Sequence, residues 1–130
     1  MAGYIFRIDK TQPEHWDLAR KEGYWDFNLG HSIRPGEKCF FLLNDGEVLG
    51  RAVAVGERRF VPAGDHGPWG GERQYKYRVR LSDFEELEGR GVTEDDIRTA
   101  LGRGLNPRSS SVLTDREIWE VDGLLEKRRR

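Results

Sequence analysis

Gly23-Tyr24-Trp25-Asp26-Phe27-Asn28, followed shortly by Pro35-Gly36-Glu37-Lys38-Cys39-Phe40-Phe41, is the stretch on which the reading of this chain turns. The first segment sets an indole between a glycine stop and polar residues, and the second runs from a Pro-Gly turn into continuous apolar sequence. A tryptophan placed this way has two readings. It folds back as a lid on the core, using apolar area that favours burial, or it walls a pocket and stacks on a planar ligand, as aromatic platforms do with nucleobases. A second tryptophan, Trp69 in His66-Gly67-Pro68-Trp69-Gly70-Gly71, favours the pocket. Two rings carried by two loops can sandwich one flat group.

Working outward, Tyr4-Ile5-Phe6-Arg7-Ile8-Asp9 reads as a first strand. Thr11-Gln12-Pro13-Glu14 then has capping-box spacing, which predicts a helix over about residues 12–22 with Gly23 as its stop. Residues 39–43 form an unbroken apolar run, expected to be a strand buried on both faces. Asn44-Asp45-Gly46 signals a hairpin turn, and residues 48–55 return as the partner strand. Gly50 inside that strand points to a bulge or a close backbone approach. The clearest alternation is Tyr75-Lys76-Tyr77-Arg78-Val79-Arg80-Leu81, with an apolar face opposite a row of three cations. Residues 61–71 form a loop rich in Gly and Pro, of a length associated with function or motion.

After Leu81 the pattern predicts helices. Thr93-Glu94-Asp95-Asp96 caps one that runs through Leu101, and residues 102–111 form a connector. Thr114-Asp115-Arg116-Glu117 caps another, whose inward face is Ile118, Val121, Leu124 and Leu125. Trp119 belongs either to the core or to an interface, and residues 127–130 form a basic end. The fold class expected is α+β: strands closed into a small barrel with helices at the sides.

The 130 residues suit one domain. Charged residues make up 35% and the hydrophobic set 36%, which describes a polar-surfaced chain rather than a membrane protein or a disordered tail. No apolar run approaches the ~20 residues of a spanning helix, and the basic-then-apolar pattern of a secretory signal is missing, so the cytoplasm is the expected compartment. A single cysteine, Cys39, excludes an intramolecular disulfide and a cysteine-based zinc site. The net charge of −1 hides an asymmetry. Arg58, Arg59, Arg73, Lys76, Arg78 and Arg80 outweigh Asp65 and Glu72, whereas the stretch from Asp83 to Asp96 is strongly acidic. Such a division can focus a field on one face, as a nucleic-acid site needs, or it can be balanced by ion pairs on a solvated surface.

Chemistry absent from the sequence narrows the function. His15, His31 and His66 are scattered, without the Cys pattern of a zinc deaminase. No phosphate-binding loop, dinucleotide fingerprint or nucleophile elbow occurs. Asp95-Asp96 at a predicted helix start is most simply read as dipole stabilisation. No metal or cofactor is expected.

The order of these features resembles the PUA-like superfamily and, within it, the EVE domains, with the YTH domains as cousins. The matching positions are Tyr4-Ile5-Phe6, Gly23-Tyr24-Trp25, Pro35-Gly36-Glu37 before Phe40-Phe41, Leu49-Gly50-Arg51-Ala52, and Trp69 ahead of Tyr75-Lys76-Tyr77-Arg78-Val79. Gly36-Glu37 departs from the usual Gly-Asp of that family. The resemblance implies a PUA-like barrel over about residues 3–88, a helical C-terminal extension over about 89–130, and a concave aromatic-lined pocket. It implies a non-enzymatic reader of modified nucleic acid, which flips a base and cages it. EVE-like modules are associated with modified cytosine in DNA, as specificity partners of modification-dependent nucleases; YTH domains read N6-methyladenine in RNA. DNA with a modified cytosine is therefore the expected ligand, with a nuclease as a candidate partner; the alternative within the resemblance is a reader of N6-methyladenine or of modified RNA.

Trp25 and Trp69 are the expected cage walls. Asn28 and Ser32 carry groups able to read a base edge, and Arg7 and Asp9 occupy the first-strand positions that contribute to a YTH-like pocket. Arg58, Arg59, Lys76 and Arg78 are the candidate phosphate contacts. Two other classes stay open: a small hydrolase using the same pocket, and a protein-interaction domain using Trp119 and the C-terminal helix.

Overall fold

A computed structural model describes residues 1–128; Arg129 and Arg130, the end of the expected basic tail, lie outside the described residues. The strands are β1 (Gly3–Ile8), β2 (Tyr24–Phe27), β3 (Lys38–Leu43), β4 (Val48–Ala54), β5 (Arg59–Phe60), β6 (Tyr77–Glu86) and β7 (Ser111–Leu113), and the helices are α1 (His15–Glu22), α2 (Glu94–Leu101) and α3 (Asp115–Lys127). The strands form one sheet in the order β2-β6-β4-β3-β1-β7, with β5 on β6. β1 and β3 run parallel at its centre, and every other named pairing is antiparallel. The fold class is α+β, a sheet curled into a half-barrel with three helices.

β6 produces much of the curl. Its first half pairs with β2 and β5, and its second half, from Leu81 to Glu86, pairs with β4. The strand therefore continues past Leu81, where helices were expected. Its polar second half includes Asp83 at φ 52°, beside a register shift against β4. That irregularity breaks the alternation on which the sequence reading relied. β2 is a second correction, because Trp25 sits on a strand and not in a loop. β7 is a third, since it lies inside the stretch read as a connector.

Strand alternation sends side chains to two separate layers. Tyr4, Phe6 and Ile8 of β1, and Cys39 and Phe41 of β3, enter an aromatic-rich layer with Trp16, Trp25, Phe27 and Trp69. Ile5, Phe40 and Leu42 point the other way, to an aliphatic layer closed by Ile97 of α2 and by Val121 and Leu125 of α3. The two predicted capping boxes at Thr93 and Thr114 both form. Arg51 and Lys38 pair with Asp122 and tie α3 to the sheet. Ile118 and Leu124 pack at the margin of the aliphatic layer, and Trp119 is solvent-exposed.

The capping box at Thr11 does not form. Asp9 accepts hydrogen bonds from both the backbone N–H and the hydroxyl of Thr11, so α1 starts later, at His15, with no side-chain cap. Gly23 ends α1 as expected. Gly50 is both the bulge and the close approach anticipated. The neighbouring Leu49 is skipped between the Phe41–Gly50 and Leu42–Val48 pairs, and a Cβ on Gly50 would stand 2.0 Å from the Trp16 ring and 2.6 Å from the Glu85 carbonyl oxygen.

Candidate functional site

A cavity of about 400 Å³ opens on the aromatic side, between the end of β1, the start of α1, β2, the loop carrying Trp69 and the segment from Arg108 to Ser110. Its volume falls in the ~300–1,000 Å³ range of small-ligand sites. Phe6, Trp25, Phe27, Trp69 and Tyr75 supply the aromatic lining.

Trp69 comes from a loop, yet its ring is fixed. Its Nε1–H donates to Asp26 Oδ2 at 3.0 Å, and its carbonyl oxygen lies 2.8 Å from His15 Nε2. The ring meets Trp25 edge to face, with centroids 4.8 Å apart and planes at 66°, and also packs against Tyr24. The two indoles therefore form a corner rather than the parallel slot expected from the sequence. A flat ligand can lie on only one of them while the other bounds its edge. Gly67 makes the corner possible. It adopts φ +64°, and a Cβ there would lie 2.6 Å from Trp69 Nε1 and 2.8 Å from Asp26 Oδ2.

Behind the corner sits an ion-pair network built on a buried acid. The Asp26 side chain is fully buried and accepts from Arg78 Nε at 2.7 Å and from Arg78 Nη2 at 2.9 Å. Arg78 Nη1 donates to Asp65, and the guanidinium lies 4.0 Å above the Tyr24 ring. These bonds hold the Arg78 proton more firmly than usual, with Asp26 the main cause, and Arg78 in turn pulls the Asp65 carboxyl below the usual range. The arrangement is a satisfied bidentate pair of the kind that sets geometry in a low-dielectric site.

The opposite wall is polar and includes buried Ser110. The Ser110 hydroxyl is 2.6 Å from Nε2 of His31, which lies outside the cavity lining and stacks on Phe27. Burial, aided by the charge of Arg58, lowers the His31 pKa and favours the neutral ring. Among the described residues, the side chains of Gln12 and Ser109 and the Nδ2 of Asn44 make no hydrogen bond, although all three residues line the cavity. Arg73 and Arg108 line it too, and neither forms an ion pair among the described residues. Also among those residues, no group of three or more His, Cys, Asp or Glu could hold a metal ion.

No protein-family model matches the sequence, and no curated protein does. Solved structures do match in shape. ASCH from Zymomonas mobilis aligns with a TM-score of 0.67 at 10% identity, covering 94% of each chain. The N-terminal domain of Thermococcus gammatolerans McrB, bound to m5C DNA, aligns with a TM-score of 0.61 at 12% identity over 100% of each chain. The YTH domain-containing protein mmi1, in complex with RNA, aligns with a TM-score of 0.58 at 14% identity, over 95% of this chain and 81% of that one. The fold is PUA-like.

Within this PUA-like fold the residues singled out from the sequence have different surroundings. Trp25 and Trp69 share the cavity, and Asn28, Arg7 and Asp9 line it as well. Asn28 Oδ1 accepts the backbone N–H of Lys76, and among the described residues its amide NH2 group makes no hydrogen bond. Arg7 is heavily engaged: its Nη atoms make a bidentate pair with Glu94, Nη1 also reaches Asn44, and Nε donates to the Asn106 carbonyl. Asp9 holds Thr11, whose hydrogen bonds keep its carboxyl below the usual range. Ser32 is outside the cavity and contributes its carbonyl oxygen to Tyr4. Arg78 is committed to Asp26 and Asp65, whereas Arg58, Arg59 and Lys76 form no ion pair among the described residues.

Glu37, the departure from Gly-Asp, has a structural task. Its buried carboxylate accepts from the backbone N–H groups of Ala2 and Arg34 and from the Tyr4 hydroxyl, whose pKa is pushed up to about 12, chiefly by burial. Sequence reasoning missed Gln12, Asn44, Arg73, Arg108 and Ser109. These come from four separate places along the chain, and no spacing rule links them.

Proposed function

We infer that the protein is a non-enzymatic reader of modified nucleic acid, which takes a flipped modified base into the cavity beside Trp25 and Trp69. A modified cytosine in DNA is the expected ligand. The observation that carries this reading is the combination at one opening: an aromatic corner, hydrogen-bonding groups at Gln12, Asn44 and Ser109 that are unengaged among the described residues, and cations at Arg73 and Arg108 that form no ion pair among them. A flipped base loses a few kcal/mol of stacking and pairing, which contact with one indole and hydrogen bonds along the base edge can offset. A methyl group adds only about 1 kcal/mol, so discrimination falls to the shape of the corner. Structures of the same fold bound to m5C DNA and to RNA support a nucleic-acid ligand.

In this reading Asn28 joins the edge-reading groups, Arg7 and Asp9 position the wall through Glu94, Asn44 and Thr11, and Arg59 and Lys76 hold phosphates. Recognition without chemistry suits a specificity partner for a nuclease. Ser110 and His31 have the spacing of a nucleophile and its base, but among the described residues His31 Nδ1 has no group to orient it. Ser110 serves as part of the wall, and His31 holds it from outside the lining.

The test is a binding panel of short duplexes and single strands, in DNA and RNA, carrying 5-methylcytosine, N6-methyladenine or no modification. Tighter binding to 5-methylcytosine DNA than to its unmodified counterpart is expected. Equal affinity for modified and unmodified strands of every kind overturns the reading. Preference for N6-methyladenine RNA keeps the reader and changes its base.

A further inference from the structure

Outside the cavity, the least expected side chain on this surface is Phe60, which is 74% exposed on the two-residue strand β5. A single exposed apolar residue is ordinary, but this one has unusual neighbours. Its ring packs on Tyr77 with centroids 5.4 Å apart and planes at 33°. Tyr77 in turn packs on Phe27, which lines the cavity. An aromatic row therefore runs from the pocket lining to the open surface.

Two cations flank the row. The Arg58 guanidinium lies 4.2 Å from the Tyr77 ring centre and Lys76 Nζ lies 5.3 Å from it. Neither forms an ion pair among the described residues, although Glu57 immediately precedes Arg58. Among the described residues, Arg58 Nη1 is buried without any hydrogen-bond partner. A Cβ on Gly30, one residue beyond the cavity-lining Leu29, would lie 2.9 Å from it. A buried donor without a partner is costly, and an anionic oxygen drawn to the guanidinium would offset that cost.

We propose that Phe60, with Arg58 and Lys76, is an outer stacking site for the nucleotide adjacent to the one held in the cavity. The neighbouring base lies on the exposed Phe60 ring, and its phosphate bridges Arg58 and Lys76. Unstacked bases suit such a platform because every base has a π-face, and cations beside the ring add to the attraction. This inference rests on the reading of the cavity as a base pocket. It adds that the ligand is engaged as an opened strand over at least two nucleotides, and that one of them is bound without regard to its identity.

The experiment measures affinity of the wild type, Phe60→Ala, Phe60→Trp and Arg58→Met for single strands of about 12 nucleotides, with one central 5-methylcytosine or none. Phe60→Ala is expected to weaken both strands equally, by about 5- to 150-fold, the equivalent of one lost base–aromatic stack. The ratio of modified to unmodified affinity stays as in the wild type. Phe60→Trp restores binding, and Arg58→Met flattens the salt dependence. Thermal melting should be the same for Phe60→Ala and wild type, since the side chain is exposed. Wild-type affinity in Phe60→Ala overturns the stacking site while leaving the pocket intact. A wild-type ratio of one instead overturns the pocket, whatever Phe60→Ala does.

Discussion

The two faces of the sheet are built from the same strands and do different work. The face under α2 and α3 is closed by Ile5, Phe40, Leu42, Val48, Leu87, Leu113, Val121 and Leu125, all fully buried and all but Phe40 aliphatic. The face under α1 is closed by Phe6, Trp16, Trp25, Phe27, Phe41 and Trp69, and it leaves a cavity of about 400 Å³. Branched aliphatic chains interdigitate and fill space. Flat, rigid rings meet at angles and leave corners, and their polar edges need partners such as Asp26 and Glu86. One layer is thus a packing solution, while the other also shapes a site from core residues.

The sharpest test of that contrast pairs Trp25→Ala with Leu125→Ala. Trp25→Ala should cost about 3–5 kcal/mol of stability and also remove modified-base binding in the molecules that stay folded. Leu125→Ala should cost about 2–5 kcal/mol and leave the modified-to-unmodified ratio untouched. Denaturant titration alongside binding reads both. Loss of the ratio in Leu125→Ala would break the comparison, because both layers would then serve the ligand.

Asp26→Ala probes how the aromatic corner is held. It strands Arg78 and the Trp69 N–H, and breaking a buried pair costs about 3–5 kcal/mol. The remaining folded fraction should show altered Trp69 fluorescence. Unchanged emission would mean that packing alone sets the corner. Lys76→Gln and Arg73→Gln have smaller effects: each should flatten the salt slope of binding by about 0.7–0.9 with little change in stability. Arg78→Gln should instead lower stability, since its guanidinium is already committed to Asp26 and Asp65.

The smallest effect concerns pH. His31 has a pKa below its ordinary 6.5 because it is buried near Arg58. The unfolded chain therefore binds a proton that the folded chain does not as pH falls through about 6.5, so stability declines on acidification from that point. The carboxyls of Asp9, Asp65 and Glu94, also lowered, act at more acidic pH. Urea midpoints at about pH 7 and about pH 5.5 should differ in the wild type and less in His31→Asn. An equal pH dependence in both proteins would remove His31 as the cause.

Local signals were the legible ones. Capping boxes at Thr93 and Thr114, the Gly23 stop and the strand of residues 39–43 depend on neighbours in sequence, and each is found. Thr11 misled because Asp9, two residues earlier, competes for its hydroxyl and N–H. β2 was hidden by Asp26, a buried acid whose partner Arg78 lies on another strand. β7 is too short, and its Ser110-Ser111 approach too polar, to announce a strand. The corner geometry of Trp25 and Trp69 follows from Gly67 and Asp26 acting together across a distance in the chain, which no local pattern encodes.

Cys39 lies in β3 with no exposed surface, and burial pushes its thiol far above the ordinary range. The native protein is therefore silent to maleimides, and any cysteine introduced at the surface becomes its sole labelling handle. Gln12→Cys would put a dye at the cavity mouth, and Trp119→Cys would put one on α3, away from it. Labelled singly in the folded protein, the two positions give an internal control for following a strand as it arrives, without first removing the native thiol.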